Sequence, residues 1–300
     1  MNEPQKRLLT AKEKLDWLRL IRSENVGAIT FFRLLERFGS AAAALQALPE
    51  MARRGGRGSL KVCSEAEAAR ELEALNRLGA RVVAWGEPDY PPLLAQVEDA
   101  PPLISLLGHA HLLGQRAIAV VGARNASVAG QRLAETLARD LGAAGLVVAS
   151  GLARGIDAAS HRGALPSGTV AVLASGIDVV YPEENRRLYE EIAERGAVIS
   201  EAPPGTEPLA RHFPARNRII SGLALGVVVV EASLRSGSLI TARLALDQGR
   251  EVFAVPGSAL DPRARGTNHL IRQGATLTET AEDVLGVLAA ALRRPLEERK

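Results

Sequence analysis

The sequence predicts an α/β protein whose main part is a Rossmann-like, doubly wound, mostly parallel sheet, preceded by a small helical domain. Six short runs are apolar at every position: AIAVV (117–121), LVVA (146–149), VAVL (170–173), AVI (197–199), VVVV (227–230) and VFAV (252–255). Such runs suit strands buried on both faces, as in a parallel sheet covered by helices. Helical segments alternate with them, and Gly79, Gly145, Gly196, Gly249 and Gly274 each stand where a helix ends and an extended segment begins. Residues 10–78 carry no such runs and read as helices instead.

Taken in order, residues 1–79 form the helical domain, 80–290 the α/β domain and 291–300 a charged tail. In FFRLLERFGS, Phe31, Leu34, Leu35 and Phe38 share one helical face, Gly39 supplies the C-cap and Ser40 can cap the next helix. The stretch NVGAITFFRLLERFGS resembles a helix-hairpin-helix or SAM-like unit. Its glycine turn either presents backbone amides to a phosphate or simply joins two helices of a bundle. The plain bundle is the preferred reading, because short glycine turns between helices are common. RRGGRGS (53–59) reads as a flexible basic loop. After the first strand, Leu133, Leu137 and Leu141 face inward while Arg132, Glu135 and Arg139 face out.

Composition excludes several classes. A hydrophobic content of 47% with 24% charged residues is that of a soluble globular protein, and 300 residues allow two domains. Net charge is only +3, so charge alone does not announce a nucleic-acid ligand, although arginine greatly outnumbers lysine and suits bidentate phosphate contacts. Cys63 is alone, which removes disulfides within the chain and cysteine metal sites. The polar start lacks the apolar core of a signal peptide, and the longest apolar stretch is too short for a bilayer. A cytoplasmic protein without membrane insertion is expected.

Ligands of open α/β sheets bind beyond the carboxyl ends of the strands. Three such ends read GARNAS (122–127), SGLARGID (150–157) and EASLRSGSLIT (231–241). Each combines glycine, serine and a nearby arginine at a helix start, a favourable setting for phosphate. The dinucleotide spacing G-x-G-x-x-G, the acidic residue for a ribose hydroxyl and the Gly-Lys-Ser/Thr loop are all missing, so neither NAD nor ATP is expected as cofactor. In RHFPARNR (211–218), Phe213 can stack on a base while Arg216 and Arg218, two apart in a turn or extended segment, meet phosphates from the same side. Alternatively Phe213 anchors the core and the arginines pair with Glu201 and Glu231. Asp157, Ser160 and His161 do not make a triad, since adjacent helical residues point about 100° apart. His109 and His111 lack a third ligand and read as surface residues.

The segments VVGARNAS, SGLARGIDAASHRGAL, GTVAVLASGIDVVYPEENRRLYEEI, ISEAPPGTEP, HFPARNRIISGLA, EASLRSGSLITARLALDQGREVFAVPGS and GTNHLIRQGA occur in this order. Together they closely resemble the DNA-processing protein A (DprA/Smf) family, densely over residues 80–285 and loosely before. The resemblance implies a protein without catalytic activity that binds single-stranded DNA entering during natural transformation, protects it and loads RecA onto it. It implies a SAM-like and an extended Rossmann-like domain, and a homodimer formed through the latter. Carried over residue by residue, the DNA pocket comprises Gly122, Arg124, Phe213, Arg216, Asn217 and Arg218. The strand-end reading adds Arg154 and His212. The implied dimer surface lies near NHLIRQGATL (268–277), with Leu270 and Ile271 as apolar contacts. Two departures stand out. Family members usually carry an aromatic before the first helix's glycine, where this sequence has Val128-Ala129-Gly130, and many continue into a winged-helix-like domain past the point where this sequence ends. A different class, a phosphoribohydrolase acting on nucleoside monophosphates through Arg218 and Glu231, is opposed by EASLRSGSLIT standing in place of a PGGxGT-type loop.

Overall fold

A computed structural model describes residues 7–54 and 60–293. Four helices open the chain: α1 (Ala11–Arg22), α2 (Ala28–Phe38), α3 (Ala41–Arg54) and α4 (Glu65–Arg77). Thr10 with Glu13, and Ser64 with Glu67, form capping boxes that satisfy the first amides of α1 and α4. Gly39 adopts φ +75° and donates its N–H to Leu35 O, while Ser40 Oγ accepts from Ala43 N at 3.2 Å. Both caps stand as their residues predict. Phe31 and Leu34 bury completely or nearly so against Leu20, Val26, Ala44 and Leu48. The helix α3 carries on through Arg53 and Arg54, where the sequence suggested the start of a loop; residues 55–59 of that stretch lie outside the described residues, as does the tail from 294.

The rest is one nine-stranded sheet. Its strands are β1 (Arg81–Ala84), β2 (Leu103–Gly108), β3 (Ala117–Val121), β4 (Val147–Ser150), β5 (Thr169–Val172), β6 (Ala197–Ser200), β7 (Gly226–Val229), β8 (Glu251–Ala254) and β9 (Thr276–Leu277), in the spatial order β1-β2-β6-β5-β4-β3-β7-β8-β9. The six apolar runs become β3 to β8, shifted by at most one residue, and all pair in parallel. Gly79 and Gly274 lead into β1 and β9 as expected, with φ of +71° and +102°. Gly196 likewise ends α8 and leads into β6, but with φ −125° rather than a left-handed angle; its place is set by Thr169 O, which a Cβ would approach to 2.6 Å. The antiparallel β2 (LISLLG) was not signalled, since Ser105 and Gly108 interrupt its apolar run.

Chain progress runs one way from β3 through β4, β5 and β6, and the other way from β7 to β9. The reversal between β3 and β7 is the switch point at which such sheets open a crevice. Helices α6 (Val128–Ala143), α7 (Ile156–Ala164), α8 (Arg186–Arg195), α9 (His212–Leu223), α10 (Gly237–Asp247), α11 (Arg265–Arg272) and α12 (Ala281–Leu292) cover the sheet, and a short α5 (Pro92–Ala95) follows β1. The helical domain shares a core with the sheet: Leu18 and Leu75 pack in one cluster with Val198, Leu152 and Ile192. An edge-to-face aromatic chain, Trp17–Phe31–Phe32–Trp85, crosses the junction with centroid spacings of 5.0, 5.4 and 5.2 Å. Buried Glu87 holds the seam too, accepting from Lys14 Nζ at 3.0 Å and Leu9 N at 2.9 Å.

Candidate nucleic-acid interface

Three turns converge on the crevice because glycine lets backbone meet backbone. A Cβ on Gly155 would lie 2.4 Å from Ala123 O, and Ile156 N donates to that same oxygen at 3.3 Å. A Cβ on Gly122 would strike Ile156 Cγ1 at 2.6 Å. The turns after β3 and β4 are thereby locked together. The turn after β7 joins them through Glu231, whose carboxylate accepts from Ser127 N at 2.8 Å and from Ser127 Oγ. Ser127 in turn caps α6 by accepting from Gly130 N at 2.8 Å. Glu231 lies so close under α6 that a Cβ on Gly130 would come within 2.5 Å of it. Val128 and Ala129 are exposed, so the residues standing where the family carries an aromatic do not pack beneath the Arg124 turn.

The stretch 211–218 is not a turn. Helix α9 starts at His212, and Pro214 sits in its first turn, where its missing N–H costs nothing. Arg216 and Arg218 therefore point to different sides, contrary to the shared side expected of an extended segment. Arg216 enters the crevice and is 5% exposed, and its Nε and Nη1 have no hydrogen-bond partner. Burial lowers its pKa to about 10 against the attraction of Asp157, so it stays cationic at neutral pH. Asp157 itself is buried and pushed up by desolvation, opposed first by Arg216; its Oδ2 also accepts from Ala153 N at 3.4 Å. The same crevice is lined by half-buried Phe213, with Tyr181 tilted against it by 56° at 5.9 Å and the guanidinium of Arg124 over its ring at 4.6 Å.

Two adjoining cavities, of about 520 and 290 Å³, share Arg124, Phe213 and Arg216. The larger includes Gly122, Asn217 and the start of α10, where Ser236 Oγ accepts from Ser238 N. Asn217 serves as a brace, its Nδ2 donating to Gly237 O at 3.3 Å. Arg154 stands on the rim of the smaller cavity, paired with Glu184 at 2.8 Å. His212 and Arg218 belong elsewhere. Both line a separate cavity toward the helical domain, and Arg218 is held there by Glu201 and, at 3.3 Å, by Asp99. Arg263 lines the large cavity although its sequence neighbourhood is unremarkable; Arg235, the arginine visible within the third turn, does not. Only the pairing across the switch point brings Arg263 in.

Leu270 is 8% exposed and lies in the main core, so it offers no surface for a second chain; half-buried Ile271 packs against the same core. The helical spacing of NHLIRQ cannot distinguish an inward from an interfacial leucine. His161 Nδ1 contacts Thr169 Oγ1 at 2.7 Å, and because that hydroxyl donates to Val148 O, the imidazole donates to the threonine. Ser160 donates to Ile156 O instead. No triad forms.

A model of the DNA recombination-mediator protein A family matches residues 81–289, and one of the DprA-like N-terminal HHH domain matches residues 11–74. DNA processing protein DprA of Streptococcus pneumoniae is 48% identical over 198 residues, 65% of this chain and 70% of that protein. The X-ray structure of that organism's DprA superposes with a TM-score of 0.77 at 34% identity, covering 93% of this chain and 98% of that one. Protein Smf of Escherichia coli is 46% identical over 65% of this chain, which spans only 53% of its length. A structure described as showing the single-stranded DNA binding mode of DprA from Helicobacter pylori superposes with a TM-score of 0.65 at 28% identity, over 71% of this chain and 96% of that one. Sequence and fold agree along both parts of the molecule: the chain belongs to the DNA recombination-mediator protein A (DprA/Smf) family.

Proposed function

We propose that this protein binds single-stranded DNA in the crevice between the β3, β4 and β7 turns, protects the strand as it enters the cytoplasm during natural transformation, and loads RecA onto it. It does so as a homodimer and without catalysing a reaction. One observation carries the reading: Arg216 is a buried, charged guanidinium with two partnerless nitrogens, in a cavity that Phe213, Tyr181 and Arg124 also line. A buried guanidinium with unsatisfied donors is costly, and a phosphate relieves it. The ring surface supplies sequence-tolerant stacking. The resemblance to DprA of Helicobacter pylori, whose structure is described by its single-stranded DNA binding, supports the same ligand.

The hydrolase reading finds no support in the geometry. Arg218 and Glu231 line different cavities, and both oxygens of Glu231 are engaged by Ser127. The test is a titration of labelled single strand and matched duplex across a salt series. Single strand should be preferred, and Phe213→Ala should weaken it roughly 5- to 150-fold, the range that stacking of one base represents. Arg216→Ala should lower the logarithmic salt slope by about 0.7, one phosphate. Equal binding by wild type and a Phe213→Ala/Arg216→Ala double variant would sink the proposal. RecA loading is tested by filament formation on strands precoated with a single-strand-binding protein, with and without this protein.

A further inference from the structure

Arg216 has a second face. On its far side lies a third cavity of about 340 Å³, at the junction of the helical domain and the sheet. Apolar lining comes from Pro101, Pro102, Leu103 and Leu173, and Gly27 and Ala28 line it from the helical domain. Its polar groups are unusual for a structural gap. Three guanidiniums reach it, from Arg22, Arg216 and Arg218, against the carboxylate of Glu201. Arg22 is held bidentately by Glu71, and Glu201 is held by Arg218. Three nitrogens on two of these side chains are buried without a partner: Arg218 Nη1, and Arg216 Nε and Nη1.

Helix α2 adds a further donor set. Its N-cap, Gly27, makes no side-chain capping bond, and a Cβ there would meet nothing within 4 Å, so the first amides of an eleven-residue helix open onto the cavity. These amides, the helix dipole and a buried partnerless guanidinium together favour an anion. The apolar walls favour a flat, uncharged body attached to it. A volume of about 340 Å³ stands at the small end of ligand pockets, enough for one nucleotide. We propose that the junction cavity binds a single nucleoside phosphate, with the phosphate between Arg216 and the start of α2 and the base against the prolines and Leu173. The glycine turn of NVGAIT is then more than the joint of a bundle, which revises the preference drawn from sequence.

The nucleotide can come from two sources. It is either one unit of the strand held in the crevice, continued past Arg216, in which case the site rests on the proposed single-stranded DNA binding, or a free nucleotide. Both are tested on the full chain with dAMP and with two labelled oligodeoxyadenylates, one just spanning the crevice and one longer. Ala28→Glu places a carboxylate in the first turn of α2, where it favours the helix, yet sets it against the expected phosphate. Ala28→Ser is the neutral control, and Ala202→Glu repeats the repulsion from another part of the lining should Ala28→Glu fold poorly. For the free nucleotide, dAMP binding falls at least tenfold in the glutamate variants and stays within twofold in the serine variant. For the strand, only the longer oligonucleotide loses at least tenfold. If the glutamate variants bind all three probes like wild type, the cavity is no nucleotide site. Loss of both oligonucleotides in Phe213→Ala would still uphold the crevice in that case, and their retention would overturn the crevice separately.

Discussion

A methyl group on Gly151 would lie 1.4 Å from Arg216 Nη1, closer than any real contact. Gly151→Ala must therefore displace the guanidinium, and because that group ends a flexible side chain, the fold should survive. The expected outcome is a loss of single-stranded DNA affinity as large as that of Arg216→Ala, with little change in urea midpoint, checked by anisotropy and by denaturation on the same samples. His161 makes a separate prediction. Burial holds its pKa at about 3, against 6.5 when unfolded. The folded state keeps it neutral, so stability is complete above pH 6.5 and declines as pH falls toward 3. Between pH 6.5 and 5 the loss amounts to roughly 2 kcal/mol. Glu13 and Glu67, with pKa near 2 against 4.5 unfolded, begin to act only below that window. Urea denaturation at several pH values should show this slope, and His161→Gln should flatten it. At this scale the sequence exposed Phe213 and Arg216 by their rarity and company. It could not reveal that Gly151 exists to admit Arg216, since that contact joins residues 65 positions apart in the chain.

Helix α9 shows where periodicity loses its meaning. Ile219, Ile220, Ser221, Gly222 and Leu223 are all buried, along with Arg216 and Asn217. A helix covered on every side carries no apolar stripe, so HFPARNRIISGL reads as irregular before it reads as helical. Read as extended, the segment sets Arg218 on the side of Arg216, whereas the 200° between residues two apart on a helix sends it to Glu201, the pairing that the sequence offered as the alternative. The six parallel strands had the opposite property: full burial made them conspicuous. Helix α6 gives a prediction at this scale. Ser127 both caps it and holds Glu231, so Ser127→Ala removes a cap and leaves a part-buried carboxylate short of a donor. A stability loss of about 1–2 kcal/mol is expected by chemical denaturation. Single-stranded DNA affinity should fall with it, because the Arg124 turn hangs on the same residue.

For the molecule as a whole, the strand order decides which residues can meet. Reversal at β3 and β7 gathers Arg124, Arg216 and Arg263 from three distant stretches, and no local pattern foretells Arg263. The proposed homodimer belongs to this scale too. With Leu270 in the core, one apolar group left outward at that end of the sheet is Leu277, 47% exposed on the edge strand β9. Leu277→Arg should shift sedimentation from dimer toward monomer; an unchanged dimer would move the interface away from this edge.

The aromatic chain across the junction has a practical meaning. Trp17 and Trp85 are the protein's two tryptophans, and both belong to that chain, one from each domain. The crevice, by contrast, is lined by Phe213 and Tyr181. Nature has thus placed the chain's only strong intrinsic fluorophores where the two domains touch and kept them out of the groove. Their emission is an optical gauge of domain separation, readable without labels and free of interference from quenching by bases in the crevice.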